Sequence, residues 1–253
     1  MLLWAGFLSI LIGCAALLID RALAHFIYDH VSGPAHKFLD GITQYAKAGH
    51  WLAAAILALA GAALAIDRRL AHFIYDHVSA KAHKALDRVT HYAKAGHWLA
   101  AAILALIVAA GMRHFNVLED DVTQLINYSL AFIASLTLGS GFLHVIKLVL
   151  GRRRPRDDME MQLYGFMPFA FNLEYNSFPS GHALTICCVA VIFTCVWPDW
   201  WPAWFAVAGL LAVTRALLTA HFLSDVLIGA GIGLIAAREV LQLGFPGFSP
   251  VWF

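Results

Sequence analysis

Charged residues are scarce in this 253-residue chain: Asp, Glu, Lys and Arg together make up 13% of it, and 61% is hydrophobic. Soluble domains carry about twice that share of charge. The mean hydropathy of +0.72 therefore excludes a soluble domain and predicts an all-α, polytopic membrane helical bundle, in which helices satisfy their own backbone hydrogen bonds. The chain also lacks a large excess of positive or of negative charge. The net charge of +1 argues against a nucleic-acid-binding protein.

Cysteine is also rare. All four cysteines lie in apolar runs, which predicts small buried side chains and no disulfide or metal framework: Cys14, Cys187, Cys188 and Cys195. The first apolar run, residues 1–19, lacks a preceding basic region, so we interpret it as a retained helix and not as a cleaved signal. Residues 11–14 resemble a lipoprotein cleavage site, but the early cysteine and the missing positive charge disfavour that alternative.

Three polar clusters interrupt the apolar sequence in its second half. They read KLVLGRRRP with Lys147 and Arg154, PSGH at residues 179–182, and TRALLTAHFLSD with Arg215, His221 and Asp225. Residues seven apart lie two helical turns apart on one face, and residues four apart lie one turn apart. Each cluster can therefore converge on one point. Ionisable residues near membrane depth are costly and usually functional, so the pattern predicts an anion site.

The chemistry of a phosphate ester fits these residue types. Lys147, Arg154 and Arg215 can neutralise the charge on the phosphoryl oxygens. Ser180 and Gly181 precede an apolar run, so their turn can present the backbone N–H groups of a helix start to the same anion.

The two histidines then divide the reaction between them. His221 can attack phosphorus, with Asp225 one turn away as the group that fixes its tautomer. His182 can protonate the leaving oxygen. The other charges of the loop are interpreted as solvated: Arg152, Arg153, Arg156, Asp157 and Asp158.

The order and spacing of the clusters resemble the signature of the type 2 phosphatidic acid phosphatase and vanadium haloperoxidase superfamily, K-x6-RP, PSGH and SR-x5-H-x3-D, in its membrane lipid phosphatase branch. Thr214 stands where the family usually has Ser, which retains the hydroxyl. The resemblance implies a phosphohistidine mechanism without metal or other cofactor. It also implies a six-helix core whose termini lie on the side away from the active site.

A nearly exact internal repeat precedes this core. Residues 19–59 match residues 66–106 with seven differences: Ala22/Arg69, Gly33/Ala80, Pro34/Lys81, Phe38/Ala85, Gly41/Arg88, Ile42/Val89 and Gln44/His91. The pattern indicates a tandem duplication of an amphipathic stretch followed by an apolar helix. The repeated histidines lack the spacing that places two metal ligands on one helix face. We therefore interpret them as interfacial residues.

The apolar runs predict six spans: residues 2–19, 98–112, 125–150, 182–197, 200–218 and 222–241. Residues 51–66 form an extra apolar segment that is slightly short for a bilayer, so the sequence allows six helices or seven. We divide the chain into an N-terminal region (1–97), a phosphatase core (98–241) and a tail (242–253). Loop charges leave the orientation open. The resemblance favours a bacterial inner membrane protein with a periplasmic active site.

The predicted function is the hydrolysis of a lipid phosphate or diphosphate, by a metal-independent enzyme that needs no cofactor. Phosphatidylglycerophosphate, phosphatidic acid, undecaprenyl diphosphate and lipid A all present the same reacting group, and the sequence does not choose among them. Two alternatives stay open at this point. One is a lipid phosphotransferase with the same intermediate; the other is a non-catalytic transporter or scaffold, although His182, His221 and Asp225 are all retained.

Overall fold

A computed structural model describes residues 48–115, 119–169 and 175–248. The predictions for the first span, for Cys14 and for the first repeat copy up to residue 47 lie outside these ranges.

The described residues form eight helices: α1 Ala48–His77, α2 Ala80–Thr90, α3 Ala95–His114, α4 Glu119–Leu150, α5 Pro155–Met161, α6 Gly181–Val196, α7 Trp201–Leu217 and α8 Leu223–Gly244. Three short 3-10 turns lie among them, at His91–Ala93, Pro198–Trp200 and Pro246–Phe248. Four helical segments are long and apolar enough to cross a membrane: Ala80–His114, Asp120–Leu150, Pro198–Leu217 and Leu223–Gly244. The prediction of an all-α, polytopic membrane bundle is confirmed.

Local sequence explains where the helices near the motifs begin. Ser79 is the N-cap of α2, and its hydroxyl accepts a hydrogen bond from the Ala82 N–H at 3.2 Å. Pro155 occupies the first turn of α5, where a missing N–H costs nothing. The Asp157 carboxylate accepts from the Arg154 N–H at 3.2 Å. These caps set the path of the chain between the membrane helices.

Helix α6 is the centre of the bundle and is buried along most of its length. It packs against α4, α7 and α8. Gly229 allows α8 to approach the start of α6 closely, since a Cβ atom at this position would lie 2.2 Å from the Ser180 carbonyl oxygen. The absence of a side chain at Gly229 thus lets α8 lie directly against the start of α6.

The second repeat copy, residues 66–106, contributes the end of α1, all of α2 and the first part of α3 to this bundle. The extra apolar segment, residues 51–66, lies within α1, which packs along α8, and α2 packs on α7. Residues 66–77 complete α1 and do not begin a separate interfacial helix. The repeat therefore contributes packing surface right up to the polar end of α8.

Candidate active site

The segment that precedes α6, residues 175–180, joins the three motif clusters. Lys147, in the last turn of α4, donates from Nζ to the Asn176 carbonyl oxygen at 2.8 Å. The Ser180 N–H donates to the carbonyl oxygen of Asp225 at 2.9 Å. Helices α4 and α7 end here, and α6 and α8 begin here. The structure thus brings all three clusters to one end of the bundle.

His221 lies in the turn between α7 and α8, and only 5% of its surface is exposed. Its Nδ1 lies 2.7 Å from the carbonyl oxygen of Ser177 and 3.8 Å from Oδ2 of Asp225. A carbonyl oxygen only accepts hydrogen bonds, so Nδ1 carries the proton and Nε2 carries the lone pair. The sequence predicted that Asp225 orients this ring; the shorter contact comes from the Ser177 backbone.

Burial lowers the pKa of His221 below its ordinary value. The carboxylate of Asp225 opposes this change, while the positive charges of Arg215 and Lys147 reinforce it. The neutral imidazole, which is the nucleophilic form, is therefore the resting form.

Asp225 is completely buried near the start of α8. Its Oδ2 accepts from the Ser177 hydroxyl at 2.5 Å and from the Phe222 N–H at 3.0 Å. Its Oδ1 accepts from Nη1 of Arg152 at 2.6 Å. Asp225 thus caps its own helix and at the same time holds Ser177, whose carbonyl contacts His221.

The sequence led us to interpret Arg152 as a solvated loop charge. This interpretation is wrong, since the Arg152 side chain is 0% exposed. Besides Asp225, its guanidinium donates to the Ser224 hydroxyl at 2.9 Å and to Oδ2 of Asp67 at 3.1 Å. The Phe222 ring lies 4.0 Å from its Cζ. Burial alone would lower the pKa of Arg152, but the two carboxylates outweigh it and raise that pKa. Arg152 is a structural cation enclosed by two acids and an aromatic face.

Asp67, near the middle of α1, completes this buried network and is 1% exposed. Its Oδ1 accepts from the Ser224 N–H at 3.1 Å, and its Oδ2 accepts from the Ser224 hydroxyl as well as from Arg152. The duplicated segment therefore contributes a carboxylate to the support of the catalytic cluster.

Asp158 also corrects the prediction of a solvated charge, since it is 1% exposed. Arg68 donates to it through Nε and Nη2, both at 2.8 Å, and His72 Nε2 lies 3.1 Å from Oδ2. Burial would raise the pKa of Asp158, but these partners outweigh burial and hold the pKa below its ordinary value. The contacts of Asp158 with Arg68 and His72 hold α5, which begins next to Arg154, against α1.

The PSGH turn starts α6, with Ser180 as its N-cap. The Ser180 hydroxyl oxygen and Nε2 of His182 are buried and have no hydrogen-bond partner among the described residues. The space that a Cβ on Gly181 would occupy is open, with no atom within 4 Å. The first N–H groups of a helix have no partner inside the helix and favour anions. The start of α6 thus offers unpaired polar groups beside an open space.

The three predicted phosphate-binding cations have no acidic partner in the described part of the chain: no carboxylate there lies within ion-pair distance of Lys147, Arg154 or Arg215. Arg215 donates from Nη1 to the Thr90 hydroxyl at 3.3 Å, and its Nε is buried with no hydrogen-bond partner in residues 48–115, 119–169 and 175–248. Their positive charge is therefore available to an anion.

Electrostatic contacts connect the predicted residues to one another. His182 lies in the field of Arg215, His221 and Lys147, and also in that of Lys94 from the second repeat copy. Arg215 lies in the field of Arg154. A tetrahedral anion between these groups would meet cations, a helix start and two imidazoles, which is the equipment that phosphoryl transfer requires.

Sequence reasoning missed Asp67, Arg152, Ser177 and Thr90 as members of this cluster. Asp67 left one usable signal, because it is a lone acid directly after a long apolar run and such a residue needs a partner. Arg152 left none, since it is one of three consecutive arginines.

Comparisons with known proteins agree with this geometry. Residues 128–246 match the model of the PAP2 superfamily. A lipid A 1-phosphatase of Rhizobium etli is 33% identical over 104 residues, which cover 41% of this chain and 45% of that protein. A lipid A 1-phosphatase of Rhizobium johnstonii is also 33% identical over 104 residues, 41% of this chain and 43% of its own length. The matches thus span less than half of either relative.

Two crystal structures share the fold. LpxE of Aquifex aeolicus superposes with a TM-score of 0.50 at 18% identity, covering 70% of this chain and 95% of that one. The PAP2-type phosphatidylglycerolphosphate phosphatase of Bacillus subtilis superposes with a TM-score of 0.50 at 19% identity, covering 91% of this chain and 94% of that one. The motif residues Lys147 to Asp225 all lie inside the part of the chain that matches the PAP2 superfamily model.

Proposed function

We propose that this protein is an integral-membrane phosphatase that hydrolyses a lipid phosphate or diphosphate through a phosphohistidine at His221. One observation carries the proposal. Lys147 and Arg215, which have no acidic partner among the described residues, both lie in the field of His182 and His221, and the His221 ring is held with its Nε2 lone pair free. The lipid A 1-phosphatases that the chain resembles support the same reaction class.

In the first step, Nε2 of His221 attacks phosphorus and the bond from phosphorus to the lipid oxygen breaks. His182 gives its proton to that oxygen, so the lipid leaves as a neutral alcohol or, from a diphosphate, as a monophosphate. Lys147, Arg154 and Arg215 stabilise the charge that spreads over the phosphoryl oxygens. The Ser177 carbonyl, by holding Nδ1–H, stabilises the positive ring that forms.

In the second step, water attacks the phosphohistidine and His182 accepts its proton. The nitrogen–phosphorus bond breaks, inorganic phosphate leaves, and His221 returns to its neutral state. Each histidine ends the cycle as it began, and no electron transfer is involved.

Charge neutralisation by the protein's own cations underlies our proposal that the enzyme is metal-independent. Three positive side chains supply at the phosphoryl oxygens what divalent ions supply in metal-dependent phosphatases. We expect a chelator to leave activity unchanged.

The position of the site supports a lipid substrate. It lies where four helices of the bundle begin or end, and we propose that lipid headgroups meet the protein at this end. On the resemblance to the superfamily we propose a location in the bacterial inner membrane with the site on the periplasmic face. A reporter fused after residue 253 should then lie in the cytoplasm, because α8 leads away from the site.

The direct test uses purified protein with phosphatidic acid, phosphatidylglycerophosphate, undecaprenyl diphosphate and lipid A in separate assays, with and without chelator. We expect inorganic phosphate from at least one lipid. Transfer of the phosphoryl group to a second lipid in place of water would contradict the hydrolase assignment. Activity that appears only with added divalent cation would contradict the mechanism.

A further inference from the structure

A second group of basic side chains lies beside the active site, on the repeated segment. A cavity of about 460 Å³ where α2 leads into α3, here named the basic cavity, is lined by Asp87, Arg88, His91, Tyr92 and His97. The proposed reaction uses none of these residues.

The basic cavity adjoins the catalytic cations. Lys94 Nζ lies 3.2 Å and 3.4 Å from the two ring nitrogens of His91, and the same Lys94 lies in the field of His182. Thr90, one residue before His91, accepts from Arg215. The basic cavity therefore lies next to groups that we propose to bind the reacting phosphate.

The charge around the basic cavity favours an anion. Arg88 and Lys94 have no carboxylate within ion-pair distance in the part of the chain that the structure describes. Asp87 is the acid that lines the cavity, and it lies in the field of Arg215. Within the lining, Arg88 balances Asp87, and two imidazoles lie beside them. Lys94, which contacts His91, adds an unbalanced positive charge next to the cavity.

The second repeat copy is more basic than the first. At four of the seven differing positions the second copy has a basic residue where the first has Ala, Pro, Gly or Gln: Arg69, Lys81, Arg88 and His91. At no differing position does the first copy have a basic residue where the second copy lacks one. Two of these four residues, Arg88 and His91, line the basic cavity.

An apolar groove of about 300 Å³ begins where the basic cavity ends, and Tyr92 lines both. Its other lining residues include Trp98, Ile186, Phe193 and Trp204. A polar recess joined to an apolar groove suits a ligand that has a charged headgroup and a hydrocarbon chain.

We propose that the basic cavity is a second anion subsite, which binds a further negative group of the same lipid whose phosphate reacts at His221. An acyl chain of that lipid lies in the groove beyond Tyr92. This inference rests on the proposed function and narrows its substrates to lipids with two anionic groups.

The test compares phosphatidylglycerophosphate, which has a phosphodiester beside its phosphomonoester, with phosphatidic acid, which has the phosphomonoester alone. The variant is Arg88→Gly with His91→Gln, which installs the residues of the first copy. We expect the ratio of kcat/KM values for the two lipids to fall about tenfold, through KM. Arg69→Ala, a matched change away from the cavity lining, should keep the ratio. An unchanged ratio, or an equal loss on both lipids, would overturn the proposal.

A binding measurement separates this proposal from the proposed function. If the unaltered protein releases no phosphate from either lipid, the proposed function fails, but vesicles with either lipid can still be tested for binding to the His221→Ala protein. A preference for phosphatidylglycerophosphate that disappears with the Arg88 and His91 changes supports the subsite, and a preference that persists overturns it. If free inorganic phosphate alone erases the preference, the cavity takes a soluble ion and the lipid assignment is wrong.

Discussion

Arg152 and Asp67 face each other inside the protein, with Nη2 and Oδ2 3.1 Å apart and both side chains buried. They are 85 residues apart in the chain, and the contact joins the duplicated segment to the region that matches the PAP2 superfamily model. Through Arg152, Asp67 acts on Asp225, and Asp225 in turn holds the Ser177 hydroxyl. His221, the proposed nucleophile, therefore depends on a residue outside the three motifs.

Asp67→Asn should lower both stability and activity, since it leaves Arg152 with one acidic partner in place of two. Removing one member of a buried ion pair costs about 3 kcal/mol. We expect a lower denaturation temperature and at least about a tenfold loss of kcat with little change in KM, because Asp67 supports the site without lining it.

The repeat provides the matched control for this change. Asp20 occupies the same place in the first copy as Asp67 does in the second, so Asp20→Asn makes the same chemical change in the same local sequence. Because Arg152 and Ser224 contact Asp67, we expect the loss of kcat to follow the substitution at Asp67 and not the one at Asp20. An equal loss from both substitutions would contradict the assignment of Asp67 to this network.

The acid limb of activity should lie below pH 6.5, the ordinary pKa of a histidine. Burial lowers the pKa of His221, so the neutral nucleophile persists as the pH falls through 6.5 and is lost only at lower pH. NMR titration of labelled histidine reports the ring directly and avoids the ionisation of the substrate phosphate. A midpoint for His221 above 6.5 would contradict the assignment.

Asp158→Asn should destabilise the protein at neutral pH and have little effect in acid. The pKa of Asp158 is held below its ordinary value, so its contribution is present above the unfolded pKa of about 3.9. It disappears as the pH falls through the lower, folded-state value. Denaturation temperatures of the two proteins at pH 7 and near pH 3 test this. A difference that stayed constant between these conditions would count against the ionic contact with Arg68 and His72.

Gly229→Ala should separate α8 from the start of α6. The new Cβ would lie 2.2 Å from the Ser180 carbonyl oxygen, and overpacking of this kind costs about 2 kcal/mol. Activity should fall with stability, because Ser180 and Asp225 share a backbone hydrogen bond across this contact. Gly209→Ala is the control, since no atom lies within 4 Å of its Cβ position. Similar losses from both changes would contradict the packing argument.

The sequence contained enough to predict the membrane bundle and the residues that meet at its polar end. Apolar runs located α3, α4, α6, α7 and α8 to within a few residues, because hydrocarbon burial requires long apolar helices. Spacing within each motif identified Lys147 and His221 as candidates. The roles assigned to these residues stay predictions until the reaction is measured.

The supporting residues were beyond sequence reasoning for a physical reason. Arg152 and Arg153 have nearly the same local sequence, and only the fold decides that Arg152 is enclosed while its neighbour lies partly exposed. Tertiary packing chooses between such equivalent residues, and local patterns hold no information about that choice.

The central claim is tested most directly by a rapid-quench experiment with a lipid substrate whose phosphorus is radiolabelled. We predict that label becomes attached to the protein during the first turnover, in an acid-labile and alkali-stable linkage that maps to His221. His221→Ala should remove it. Turnover of lipid with no labelled protein at any time point, or label that persists in the His221→Ala protein, would contradict the account.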